Sequence, residues 1–304
     1  MPSPNFTRRH AIFAITAAPL ASQSPAIQPP ADFRWVNALP ADAPPGVRHG
    51  TFLSQRHKTQ AGYCIYLPPD YETSSRRYPV VYYLHGGRPG AETKSIGLAR
   101  FIGAAVRGGG IPPIIYVFNN GGAVSHYDYP DFNSFGETAL ISELIPHVDK
   151  TYRTIARRQA RAIEGFSQGG RGTARVMFRH PELFCSAAPM GGGHQHEKHI
   201  AEHAGKEDGE PGYVFTKGLN TYDLAREYAK RPRGLSVLVA VGTKDFNYEA
   251  NLEWMKHLDS LKIPYRRIIV PDTPHNATEV YRKVGGEVMK FHAANFRREL
   301  GKDW

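Results

Sequence analysis

The 304-residue sequence contains two cysteines, Cys64 and Cys185, too few for a disulfide framework. Each sits in an apolar, strand-like stretch (Tyr63-Cys64-Ile65 and Leu183-Phe184-Cys185) and reads as a small buried hydrophobe, with a pairing between the two as the alternative. No apolar run approaches the ~20 residues of a membrane-spanning helix, so stable membrane insertion is not expected. No His-Glu-x-x-His motif occurs, and no acidic residue precedes Asp32. Acid is scarce overall, 28 Asp and Glu against 38 Lys and Arg, for a net charge of +10. The excess is scattered in pairs such as Arg76-Arg77, Arg157-Arg158 and Arg297-Arg298. No basic helix with interleaved aromatics appears, so nucleic acid is not an expected partner. With 41% apolar and 22% charged residues, disorder, collagen and coiled coil are excluded as whole-chain readings.

What the N-terminus does contain is an address. Thr7-Arg8-Arg9 precedes an apolar run from Ala11 to Ala21, and Ser24-Pro25-Ala26 supplies small residues at its end. Residues 1–26 therefore read as an export signal, which places the protein in the periplasm or outside the cell. The Arg8-Arg9 pair resembles a twin-arginine signal, although Ala11 stands where that motif has a large apolar residue. Residues 27–47, rich in Pro and Ala, read as a linker or a surface arm.

From residue 48 to 304 the pattern is that of one domain. Strands are expected at 47–53 and 62–67, then at 78–84 (YPVVYYL), 114–118, 161–165, 183–189, 235–241 and 265–270. Helices are expected at 92–107, 136–151, 168–179, 248–261 and 278–300, the last with Gly285-Gly286 as a weak point. Strands alternating with helices imply a mostly parallel sheet covered on both faces, with the first two strands forming an antiparallel edge. Residues 191–233 are polar and rich in Gly and His, and read as an insertion over one end of the sheet.

The chemistry lies in the connections. Gly165-Phe166-Ser167-Gln168-Gly169 fits G-x-S-x-G between an expected strand and an expected helix, the context in which that motif lifts a serine hydroxyl above a sheet. A serine needs a base to become a nucleophile. His275 follows the last strand directly, whereas His257 and His292 fall inside helices. The acid that orients such a base is expected after the preceding strand, where Asp245 stands; Asp272 shares the loop of His275, and Glu249 lies a helical turn further on. Donors for a developing oxyanion are expected from the backbone N–H of Gln168 and from the loop His85-Gly86-Gly87, with Gly87 favoured over Gly86.

The segments Tyr78–Gly87, Phe135–Thr154, Arg161–Gly172 and Arg179–Met190 resemble an esterase family of the α/β-hydrolase superfamily. That family includes feruloyl and acetylxylan esterases, enterochelin esterases, S-formylglutathione hydrolase and mycolyltransferases. The resemblance covers roughly residues 48–300. It implies the α/β-hydrolase fold, Ser167 as nucleophile, Asp245 as acid, His275 as base, Gly87 and Gln168 as oxyanion donors, and no metal or cofactor. Two departures stand out: Glu164 occupies a strand position that is usually small, and the 191–233 insertion has no counterpart. The function so implied is an exported serine esterase acting on a carbohydrate-linked or aromatic ester. An acyltransferase of the same fold and a siderophore esterase are the alternatives.

Two weaker patterns complete the reading. His194, His196, His199 and His203 cluster, and the last three share a helix face at a spacing that can bind zinc, but a solvated polar insertion is the preferred account. Tyr127, Tyr129 and Phe132, with His85, are expected to line an aromatic substrate pocket, alongside Tyr213 and Phe215.

Overall fold

The computed structural model describes Met1 and residues 28–301, so the expected export signal lies outside the described residues. Eight strands form one sheet: β1 (Val47–Ser54), β2 (Thr59–Tyr66), β3 (Val80–Leu84), β4 (Ile115–Asn119), β5 (Arg161–Phe166), β6 (Ser186–Met190), β7 (Ser236–Lys244) and β8 (Arg266–Pro274). Their spatial order is β1-β2-β4-β3-β5-β6-β7-β8. β2 pairs antiparallel with β1 and with β4, and every pairing from β4 onward is parallel. The run Val80–Leu84 explains the centre. Val80, Tyr82 and Leu84 point into one apolar core, and Val81 and Tyr83 into the other, so no position faces water.

Helices cover both faces. α1 (Ala99–Arg107) and α7 (Ala277–Leu300) pack on one side. On the other lie α2 (Ile145–Thr151), α3 (Gln168–Arg179), α4 (His194–Glu202), α5 (Thr221–Lys230) and α6 (Tyr248–Ser260). Where one helix is expected over 136–151, the chain forms a short turn, a π-helical turn Ala139–Leu144 and then α2. Pro146 has no N–H to donate and its ring crowds the carbonyl four residues back, so the turn before it widens. α7 runs unbroken through Gly285-Gly286, held by its buried stripe of Val280, Tyr281, Val288, Met289, His292 and Phe296.

The insertion is more ordered than its composition suggests. It contains α4 and α5, and Asn220 caps α5 by accepting from the N–H groups of Tyr222 and Asp223. Tyr213, Phe215 and Ile200 of the insertion close a third apolar cluster with Val124, Tyr127 and Tyr129 from the loop after β4. The Pro-rich arm is tied down as well: the Trp35 carbonyl accepts from the Gly62 N–H at 2.6 Å, and Asn37 binds Glu92. Cys64 and Cys185 are buried and free, and burial pushes both thiols up to about 12.

Buried charge holds the helical side. Glu137 bonds Arg175 at 3.2 Å, Arg179 at 2.8 Å and His180 at 3.0 Å. Burial alone would raise the Glu137 carboxyl, but His180, Arg175 and Arg179 override it and hold it at about 2. Glu207 is likewise held at about 2 by Arg171 and Arg88 against the effect of burial. Each group ionises at 4.5 when unperturbed, so its stabilisation is complete above that value and is lost as pH falls toward 2. The loss should be on the order of 2–3 kcal/mol per carboxyl. Glu197, which burial raises to about 8, acts in the opposite sense and offsets part of this drop, so urea unfolding from pH 7 to about pH 3 is compared between the wild type and Glu137→Gln. The drop should shrink in Glu137→Gln, and an unchanged drop in that variant would contradict the assignment.

Candidate active site

Strand β5 ends at Phe166 and α3 begins at Gln168, leaving Ser167 alone in the turn at φ 62°, ψ −117°. A non-glycine residue is held there only when its surroundings impose it. The cause is the close approach of α3 to the sheet. A Cβ at residue 169 would lie 1.9 Å from the Leu84 carbonyl oxygen, so only glycine fits. The turn places Ser167 Oγ at the N-terminal end of α3, above the C-terminal ends of the parallel strands.

Asp245 and His275 come from the ends of β7 and β8. His275 Nδ1 donates to Asp245 Oδ1 at 2.8 Å, which leaves Nε2 as the acceptor for the Ser167 hydroxyl, also at 2.8 Å. Asp245 is buried, and its Oδ1 also accepts from the Asn247 N–H at 2.8 Å. Phe166 and Phe246 flank the His275 ring, with centroids 4.7 and 4.0 Å away. The other acids stand elsewhere. Asp272 is exposed and pairs with Lys244 at 3.1 Å, and Glu249 is exposed on α6. His257 faces the Tyr222 carbonyl, and His292 is buried against Ser186 and Glu164.

The loop after β3 comes up against Ser167. A Cβ on Gly86 would lie 3.2 Å from Ser167 Cβ and 3.9 Å from Oγ. Gly87 has φ +69°, a left-handed conformation that favours glycine. His85 is buried and bridges two loops: its Nε2 accepts from the Gly121 N–H in the loop after β4 at 3.1 Å, so Nδ1 carries the proton and donates to the Gly86 carbonyl at 3.1 Å. Burial lowers its pKa to about 4, so the ring stays neutral. With the Gly86 carbonyl turned toward His85, the N–H of Gly87 points the other way across that peptide. Gln168 is the first residue of α3, and its N–H has no acceptor within the helix. Both groups can receive a negative oxygen beside Ser167.

Other expected site residues are placed differently. His85 is buried, with both ring nitrogens engaged by backbone groups. Tyr127 and Tyr129 are buried, with the Tyr127 ring stacked on Phe215 at 4.0 Å and Tyr129 edge-on to Tyr213 at 5.3 Å. Phe132 packs against them. The five rings from two loops pack chiefly against one another, since each buries more apolar surface there than it would facing water, while Tyr127 and Phe215 also border a cavity of about 170 Å³. The four insertion histidines also diverge. His194 stacks on Trp254 at 4.0 Å, His196 bonds Asp208, and His199 stacks on His203. Glu164, the unusual strand residue, is wholly buried, accepts from the Tyr281 hydroxyl and meets His292 Nε2 at 3.1 Å.

Phe246 was not anticipated from sequence. It is 76% exposed although its ring packs against His275. A large apolar residue directly after the candidate acid is the only sequence cue to it. Arg171, Glu197 and Glu207 were equally hidden, since an arginine in a Gly-rich helix and two glutamates in a polar stretch read as solvated.

The sheet order, the parallel core and the turn at Ser167 define an α/β-hydrolase fold. A ferulic acid esterase structure superposes with a TM-score of 0.68 at 22% identity, covering 82% of this chain and 98% of that one. The chain belongs to the family described as "Putative esterase", whose model matches residues 54–260. It is 35% identical over 135 residues to an esterase of Mycobacterium tuberculosis, across 43% of this chain and 29% of that protein. It is 32% identical over 165 residues to an endo-1,4-beta-xylanase/feruloyl esterase of Xylanibacter ruminicola, across 48% of this chain and 22% of that protein. The match thus spans under a third of the length of each of these relatives.

The contact at residue 169 gives a direct test. Gly169→Ala should lower the midpoint of urea unfolding by the equivalent of about 3 kcal/mol or more. Gly286→Ala on α7, where an added Cβ meets nothing within 4 Å, should hold or slightly raise it. Equal behaviour of the two variants would remove the steric account of the turn.

Proposed function

We propose that this protein is an exported serine esterase that hydrolyses a carboxylic ester through an acyl-enzyme on Ser167. The observation that carries this reading is the continuous chain of hydrogen bonds from Asp245 through His275 to Ser167, at 2.8 Å and 2.8 Å. Ser167 Oγ attacks the ester carbonyl while His275 Nε2 takes its proton. Asp245 keeps the imidazole in the Nδ1–H form and stabilises the cation. The carbonyl oxygen becomes an oxyanion between the N–H groups of Gln168 and Gly87. Collapse expels the alcohol, which leaves with the proton from His275. Water then attacks the acyl carbonyl while giving a proton to His275; the C–Oγ bond breaks, His275 returns the proton to Ser167 Oγ, and the acid is released.

What borders the base supports a reading of the substrate class. The leaving alcohol must depart next to His275 Nε2, and the exposed face of Phe246 lies beside that ring. An apolar or ring-bearing ester, such as a feruloyl or sugar-linked one, suits that surface. Export rests on the Arg8-Arg9 and Ala11–Ala21 pattern. No helix among the described residues is long and apolar enough to cross a membrane.

A fluorophosphonate should label the protein at Ser167 and nowhere else. Ser167→Ala should lower kcat on a nitrophenyl ester by about five orders of magnitude, and Asp245→Asn by about four. A Ser167→Ala enzyme of undiminished activity would end this reading. Phe246→Ala should raise KM several-fold for esters of bulky ring-bearing alcohols and leave methyl esters of the same acid within twofold. Equal effects on both would remove Phe246 from the leaving-group side.

A further inference from the structure

The 191–233 insertion reaches the two oxyanion donors through one carboxylate. Arg88 directly follows Gly87, and its guanidinium grips Glu207 with two bonds, Nη1 to Oε2 at 2.7 Å and Nη2 to Oε1 at 3.2 Å. Glu207 Oε1 also accepts from Arg171 Nη1 at 2.7 Å. Arg171 lies one turn into α3 and is wholly buried, and its backbone N–H bonds the Ser167 carbonyl at 3.0 Å. Its remaining donors go to Glu197 of α4 and to the Tyr127 hydroxyl, each at 2.8 Å. The loop that carries the Gly87 N–H and the helix that carries the Gln168 N–H are therefore joined at Glu207, which belongs to neither.

We propose that Glu207 is a positioning residue that sets the separation of the Gly87 and Gln168 donors, so that the insertion is a working part of the oxyanion site. This rests on the proposed role of Ser167 and those two donors. The loop needs such a tie, because Gly86, Gly87 and Gly90 leave its backbone with soft dihedrals. Two further bonds steer the same backbone: the Ser125 hydroxyl donates to the Gly87 carbonyl, and His85 Nδ1 to the Gly86 carbonyl. Stability alone does not account for the network. A buried ion cluster rarely outperforms apolar packing of the same volume, and apolar packing is available in the adjacent cluster of Tyr127, Tyr213 and Phe215. What forked, charge-assisted bonds add is direction.

The test compares an oxygen ester with the thionoester of the same acyl and alcohol groups. Sulfur accepts hydrogen bonds poorly, so a correctly spaced oxyanion site favours the oxygen ester. Glu207→Gln should lower kcat on the oxygen ester about 10- to 100-fold with KM within twofold. The thionoester rate should fall far less, so the oxygen-to-sulfur ratio collapses by about tenfold or more. Arg88→Lys keeps the cation but loses the fork, and should move the ratio the same way. Glu202→Gln, an exposed carboxylate on α4 of the insertion, should leave it unchanged. The ratio is taken within one preparation, so a smaller folded fraction cancels from it. If both Glu207→Gln and Arg88→Lys keep the wild-type ratio, the inference is overturned. Failure of the underlying reading looks different: the wild-type enzyme itself would show no preference for oxygen, and Ser167→Ala would remain active.

Discussion

One backbone contact governs the site. The carbonyl that ends β3 touches α3 at residue 169, where there is no side chain to keep the two apart. That contact fixes the height at which the helix starts, and the helix start forces Ser167 into positive φ. Because β3 is also the strand whose outgoing loop carries Gly86 and Gly87, the same approach delivers those glycines to the serine. The position of Ser167 and that of the candidate oxyanion donors are thus consequences of one packing distance. Asp245 and His275 need only stand at the ends of the next strands but one and two, which the parallel sheet arranges without further devices.

Around this apolar frame the protein places charge where charge is costly. Arg171 and Arg175 of α3 are buried, each matched by a glutamate from outside the helix. Neither pairing is local in sequence, and each binds a loop that would otherwise be soft. The Glu137 set fastens the turn after the β4 loop; the Glu207 set fastens the insertion to the loop after β3. Helix α3 is thereby both the support of Ser167 and the anchor of its surroundings. A third buried pair, Glu164 with His292, ties β5 to α7 on the opposite face.

The fold was legible because its signals are local. β3 is an unbroken run of five apolar residues, four of them β-branched or aromatic, that only a doubly covered strand can bury, and α7 carries an apolar stripe over 24 residues. The motif at Ser167 was legible because glycine at a fixed spacing records a close approach directly. Boundaries slipped where a local signal competed with packing, as at Pro146, where a helical pattern meets a residue that cannot complete it. The aromatic residues at 127, 129 and 132 carried the right chemistry for a pocket, yet hydrophobicity does not state which partner will cover it. Here Tyr213 and Phe215, more than 80 residues away, do so.

Sequence by itself determined the strand and helix alternation, the sharp turn at Ser167 and the order in which Ser167, Asp245 and His275 appear. All of these depend on neighbours within a few residues or on the direction in which a parallel sheet must be wound. Only the tertiary structure decided that Phe246 stands exposed against His275, that His85 reaches Gly121, and that Glu207 joins Arg88 to Arg171. These contacts link residues 29 to 119 positions apart. A buried charge takes whichever partner the packed chain brings within hydrogen-bond reach, and nothing in the local sequence marks which one that is.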